Sequence, residues 1–124
     1  MKRILLNMVL GSAVFAQAPD NINDKIDRMA DQLERQVIEW RRDFHENPEL
    51  SNREFRTAEK VADHLRSLGM EVQTGVAHTG VVGLLKGGKP GKVVALRADM
   101  DGLPVKEKVD LQFASKAKGI YQDK

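Results

Sequence analysis

The feature that most constrains this fold is a run of apolar residues at Ile22, Ile26, Met29, Leu33, Val37, Trp40 and Phe44. Their steps of 4, 3, 4, 4, 3 and 4 keep one face of a long helix apolar. Asp and Asn residues between Asp20 and Asp24 offer caps and favourable charge at its start. Asn47-Pro48 ends it, because the residue before a proline is pushed out of helical geometry. Such a stripe either pairs with a second copy as a coiled coil or packs on its own domain. A seam of only about three heptads favours the domain.

A second helix is predicted from Ser51-Asn52-Arg53-Glu54, which has the form of a capping box. Phe55, Ala58, Val61, Ala62, Leu65 and Leu68 line one face of it, and Gly69 stands where a C-terminal cap belongs. The period then changes. Met70 to Gly75 alternates as a strand would, Gly80 to Lys86 reads as a second strand, and Lys92 to Arg97 reads as a third with both faces covered. Lys86 to Lys92, rich in Gly and Lys, is the turn between the last two. The order is helix, helix, strand, strand, strand, an α/β arrangement. The last segment, Lys106 to Lys124, is charged and carries no terminating signal.

At 124 residues the chain holds one small domain at most, and 41% hydrophobic content fills a modest core. Residues 1–16 read as an export signal. Lys2 and Arg3 precede a mostly apolar stretch from Ile4 to Phe15, and Val14-Phe15-Ala16 permits cleavage before Gln17. The alternative is an apolar N-terminus that frays in a cytosolic protein. The stretch is too short for a lasting bilayer span. Taking Lys2 and Arg3 from the 20 basic residues leaves 18 against 18 acidic ones, so the mature chain is formally neutral. Neutrality, with one Trp and one Tyr, argues against a nucleic-acid partner. The lack of cysteine removes thiol nucleophiles, disulfides and thiolate metal sites.

Several tempting motifs fail. Gly91-Lys92 is no phosphate loop, since Lys86 stands where the first Gly belongs and Val93 replaces the Ser or Thr. Asp99-Met100-Asp101-Gly102 is no calcium loop of the helix-loop-helix type, because its first and last ligands would be Arg97 and Lys108. His45, His64 and His78 show no ligand spacing and read as surface or helix-end histidines.

Asp99 and Asp101 differ. They follow the apolar run Val93-Val94-Ala95-Leu96 and precede Gly102 and Pro104, so they sit in a loop at the carboxyl end of a predicted strand. Open α/β sheets place their chemistry there. In extended backbone, residues i and i+2 face the same way, so the two carboxylates would share a face and repel unless a cation, a histidine or a raised pKa relieves them. A plain polar loop, with Asp101 turning the chain through Gly102, fits the same residues.

Three segments together carry a resemblance. The first runs from Trp40 through His45, Asn47, Pro48, Glu49 and Leu50 to Ser51, with Glu54 and Thr57 after it. The second is Leu96-Arg97-Ala98-Asp99-Met100-Asp101-Gly102-Leu103-Pro104-Val105, and the third is Leu111-Gln112-Phe113-Ala114-Ser115 with Lys116. In this order they closely resemble the start of the metal-dependent amidohydrolases, the group of aminoacylases, hippurate hydrolases and indole-acetyl-amino-acid hydrolases.

The resemblance implies a metallopeptidase-like α/β catalytic domain and a smaller inserted domain that often mediates dimerisation. It implies two divalent metal ions, zinc, manganese or similar, in the intact enzyme. A metal-activated water would attack the amide of an N-acyl amino acid or short peptide, with a downstream glutamate as base. By the same resemblance, Asp101 matches the aspartate that orients a metal-binding histidine in the wider clan. Asp99 stands where that clan has the histidine itself. The aminoacylase-like branch shares this departure and turns to a cysteine elsewhere, so both aspartates are placed in the catalytic constellation and neither as a metal ligand. His45 and Glu49 are expected to serve the fold. The family's His-x-Cys-Gly-His-Asp segment is absent. The expectation is therefore a signal peptide at 1–16 and a partial catalytic domain at 17–124, holding no metal stably and inactive by itself. The competing expectation is a truncated α/β module with a binding role or none.

Overall fold

The computed structural model describes residues 21–121, so the expected signal peptide at 1–16 lies outside the described residues. The element order is α1 (Ile22–Glu46), α2 (Phe55–Ser67), β1 (Glu71–Val76) and β2 (Gly80–Leu84). The chain divides into two compact units, one up to Arg35 and one from Gln36 onward.

The helix α1 starts and stops where the sequence directs. Asn21 caps it, its side-chain oxygen accepting the Asn23 amide at 3.2 Å. At the other end both the amide of Asn47 and its side-chain nitrogen donate to the Asp43 carbonyl, at 3.1 and 3.0 Å, before Pro48 turns the chain. The apolar stripe behaves differently along its length. Ile22, Ile26, Met29, Leu33 and Val37 are all at least half exposed. Only Trp40 and Phe44, near the C-terminal end, are half-buried.

The helix α2 corrects one expectation at its start. Glu54 is the cap residue and makes no side-chain cap bond, and Ser51 lies in an exposed turn. The carboxylate of Glu49 takes over instead, accepting the Arg56 amide at 3.1 Å and the Thr57 amide at 2.7 Å. A carboxylate reaching back from outside the helix satisfies two of the orphan donors of its first turn. The C-terminus follows the sequence. Gly69 has φ +78°, its amide donates to Arg66 at 2.9 Å, and the Met70 amide donates to Leu65 at 3.2 Å. That pair of bonds is a Schellman motif, which favours glycine at the left-handed position.

The strands β1 and β2 form a two-stranded antiparallel hairpin, with Glu71 opposite Leu84 and Val76 opposite Gly80. The register breaks between Gln73 and Val76, where Gly75 takes φ +73°, a left-handed conformation that favours glycine. The helix α2 covers this hairpin. A Cβ at position 83 would lie 3.0 Å from Leu65 and 3.2 Å from Met70, so Gly83 lets the helix settle close. Ala62 is the buried hydrophobic residue of this layer, at 1% exposure.

The third predicted strand does not form. Residues 92–97 adopt no regular structure, and Val93, Val94 and Leu96 are 88%, 82% and 97% exposed. A strand needs a partner for its amides and carbonyls, and the turn from Lys86 to Lys92 does not bring this run beside β2. The described order is helix, helix, strand, strand.

Candidate functional site

The aspartate loop is held from below by the turn that follows α1. The Gly102 amide donates to the Glu49 carbonyl at 2.7 Å, and Leu50 and Gly102 form an isolated parallel bridge. A Cβ at position 102 would lie 2.8 Å from the Pro48 Cβ, closer than side chains approach, so this contact requires glycine. Glu49 thus has two roles at once. Its carbonyl holds the loop that carries Asp101, and its carboxylate holds the first turn of α2.

A second tie lies on the last turn of α1. His45 Nε2 and Glu107 Oε2 are 2.6 Å apart. The other oxygen of Glu107 accepts the amides of Lys108 and Val109, at 2.9 and 3.0 Å. The Val109 amide first, and His45 next, hold the Glu107 carboxyl below the usual carboxylate range. The His45 ring meets the edge of Phe113 at 5.6 Å, and the Arg42 guanidinium stands 5.0 Å over the same ring. Arg53 donates to the Ile120 carbonyl at 2.8 Å. The three segments that carried the resemblance therefore meet around the turn from His45 to Leu50.

Asp99 and Asp101 are both exposed. Asp99 pairs with Arg97 at 2.7 Å, with the two side chains 67% and 87% exposed, a surface pair that contributes little. The other histidines lie elsewhere. His64 stacks edge-on against Trp40 at 4.6 Å, and His78 against Phe55 at 5.4 Å. Among the described residues no group of three or more His, Asp or Glu side chains is placed to hold a metal ion. The paired metals implied by the resemblance do not fit these residues by themselves. No described helix is long and apolar enough to cross a membrane.

Away from the loop, α2 and the hairpin enclose polar side chains with their partners. The Thr79 hydroxyl donates to Glu54 Oε2 at 2.5 Å, with both residues buried. That bond, aided by backbone amides, lowers the Glu54 pKa against the effect of burial. Asp43 on α1 accepts from Arg56 at 2.6 Å and Lys60 at 2.7 Å on α2, and the Lys60 bond is the larger cause of its lowered pKa. Sequence reasoning missed Glu107 and the Glu54–Thr79 pair. Their partners lie 62 and 25 residues away, and no local spacing marks them.

Comparison with known proteins gives relatives most of whose names state a hydrolytic enzyme, together with a putative glutamate–cysteine ligase 2-3 of Rhodococcus jostii, 46% identical over 89 residues. The chain is 52% identical over 98 residues to thermostable carboxypeptidase 2 of Saccharolobus solfataricus, covering 78% of this chain and 25% of that one. It is 43% identical over 97 residues to an N-acyl-L-amino acid amidohydrolase of Geobacillus stearothermophilus, covering 78% of this chain and 26% of the relative. Hippurate hydrolase of Campylobacter jejuni matches at 46% over 80 residues, 64% of this chain and 21% of the relative. The chain thus spans about a quarter of the length of such relatives. No family model matches it. No solved structure matches it either.

Proposed function

The chain belongs to the amidohydrolase and carboxypeptidase family of these relatives, and from that membership we propose that it is the N-terminal part of an exported amide hydrolase. Residues 17–124 are part of its catalytic α/β domain, and residues 1–16 are the leader removed before Gln17. The substrate class is N-acyl amino acids, related amides or short peptides. Asp101 serves as an orienting carboxylate, and Asp99 stands beside it in the same loop. The intact enzyme uses divalent metals and forms a homodimer through its inserted domain. The observation that carries this reading is 43–52% identity with enzymes whose names state a carboxypeptidase or an N-acyl amino acid amidohydrolase.

The described residues offer no metal-holding group, so the chain by itself is expected to be inactive. Purified chain with added zinc or manganese should show no hydrolysis of N-acetyl amino acids or hippurate, and metal-dependent turnover would overturn this. The positive test is a graft. Residues 17–124 replace the corresponding quarter of the Geobacillus stearothermophilus amidohydrolase, and the folded graft should hydrolyse N-acyl amino acids. Asp101→Asn in the graft should lower that activity about 10- to 100-fold, the usual loss when an orienting carboxylate is removed. A folded but inactive graft sinks the hydrolase reading in favour of a module with another role. Export is tested separately: after expression in a host that secretes it, the mature protein should begin at Gln17.

A further inference from the structure

We propose that His45 and Glu107 are positioning residues for the aspartate loop, acting with the Gly102–Glu49 backbone bond as a two-point clamp. This rests on the reading of Asp101 as a functional carboxylate and concerns what fixes its position. The segment from Gly102 to Glu107 is tied at both ends to one short stretch of chain, from His45 on the last turn of α1 to Glu49 just beyond it. That stretch is itself anchored. Asn47 closes onto Asp43, and the Glu49 carboxylate grips the amides of Arg56 and Thr57 at the start of α2. Closing a short loop at two points removes most of the freedom of the residues next to each tie. Asp101 is the neighbour of one tie.

The far tie is built to stay in place. Glu107 uses one carboxylate oxygen for His45 and the other for the amides of Lys108 and Val109, so its side chain has little freedom left. The His45 ring is held by Phe113, over which Arg41 and Arg42 also sit. A site residue is located accurately only when the groups supporting it are locked in turn. His45 supplies that support through Glu107, without touching either aspartate in any described contact.

The test is amide hydrogen exchange on the full chain, read at Gly102. His45→Ala should lower Gly102 protection about tenfold, the scale of one lost charge-assisted hydrogen bond, while protection in α2 and in the hairpin is kept. Glu107→Ala should do the same. His45→Gln should restore protection, because its side-chain nitrogen donates from nearly the position of imidazole Nε2. Unchanged protection at Gly102 in both alanine variants overturns the clamp. So does failure of glutamine to rescue, or an equal loss across α2 and the hairpin, which would make His45 a general structural residue. The readout is independent of hydrolysis. A dead graft with coupled exchange fails the enzyme reading alone, and an active graft with uncoupled exchange fails the clamp alone.

Discussion

Two apolar runs in this chain look alike and end differently. Val81-Val82 lies in β2, paired with β1 across a short turn, in a hairpin that α2 packs on and with Val81 half-buried. Val93-Val94, twelve residues on, stands more than four-fifths exposed with no strand around it. Strand propensity is the same, so propensity does not decide the outcome. What differs is whether a partner edge lies within reach. The hairpin brings its own partner, and the helix above it supplies a lid. The later run is separated by a turn containing Gly87, Gly88 and Gly91 and would need an edge from elsewhere.

The largest effect should come from the sealed region. Thr79 and Glu54 are 8% and 6% exposed and bonded to each other. Thr79→Val keeps the shape and removes the donor, leaving a buried carboxylate oxygen short of its partner. The expected cost is about 1–3 kcal/mol in a denaturant melt of the full chain. A loss under about 0.5 kcal/mol would mean that water reaches Glu54 and that the hairpin layer is not sealed.

Much of this contrast was legible before the structure, and the part that was not has a common cause. The bounds of α1, the Gly69 cap and the hairpin all follow from signals within a few residues, and all are present. The capping box read at Ser51 does not form, because the helix begins three residues later and Glu49 reaches the amides of Arg56 and Thr57 through a turn whose shape depends on Asn52 at φ +60°. A non-glycine residue in that conformation leaves no clear mark in sequence. At the site, the order of the motif segments pointed to the loop of Asp99 and Asp101, but the partners that pin it were invisible. Glu107 and His45 become neighbours only after Pro48 and Gly102 have brought two distant stretches into contact. The third strand failed for the opposite reason, since its signal was local and its requirement was not.

A smaller effect is expected at the α1–α2 junction. Asp43 holds Arg56 and Lys60 together, and those bonds, Lys60 first, hold its carboxyl below the usual carboxylate range. A depressed folded-state pKa contributes stability in full above the unfolded value and loses it as pH falls through the folded one. Asp43→Asn should therefore cost about 0.5–1 kcal/mol at pH 7, the range for a partly exposed ion-pair network. Below about pH 3.8 the gap between variant and parent should begin to shrink, and it vanishes as pH falls through the folded-state value. Melts stepped down from pH 7 through the acid range check this. A gap that stays constant as pH falls would assign the effect to packing of Asp43 rather than to its charge.

The smallest effect is the most direct probe of the difference between the two runs. Leu96 is 97% exposed and Val94 82%, so replacing both by threonine removes apolar surface that is already in water. The melt should move by less than about 0.5 kcal/mol, as for substitutions at positions without contacts. The same change at Val81, which is half-buried in the hairpin that α2 packs on, should cost more. If instead Val94→Thr with Leu96→Thr destabilises by more than about 1 kcal/mol, the run has found an edge in solution. A melt that also shifts with protein concentration would identify that edge as a second copy of the chain, because unpaired apolar strands template their own association. A shift independent of concentration would place the edge within the same chain and restore the three-strand order read from the sequence.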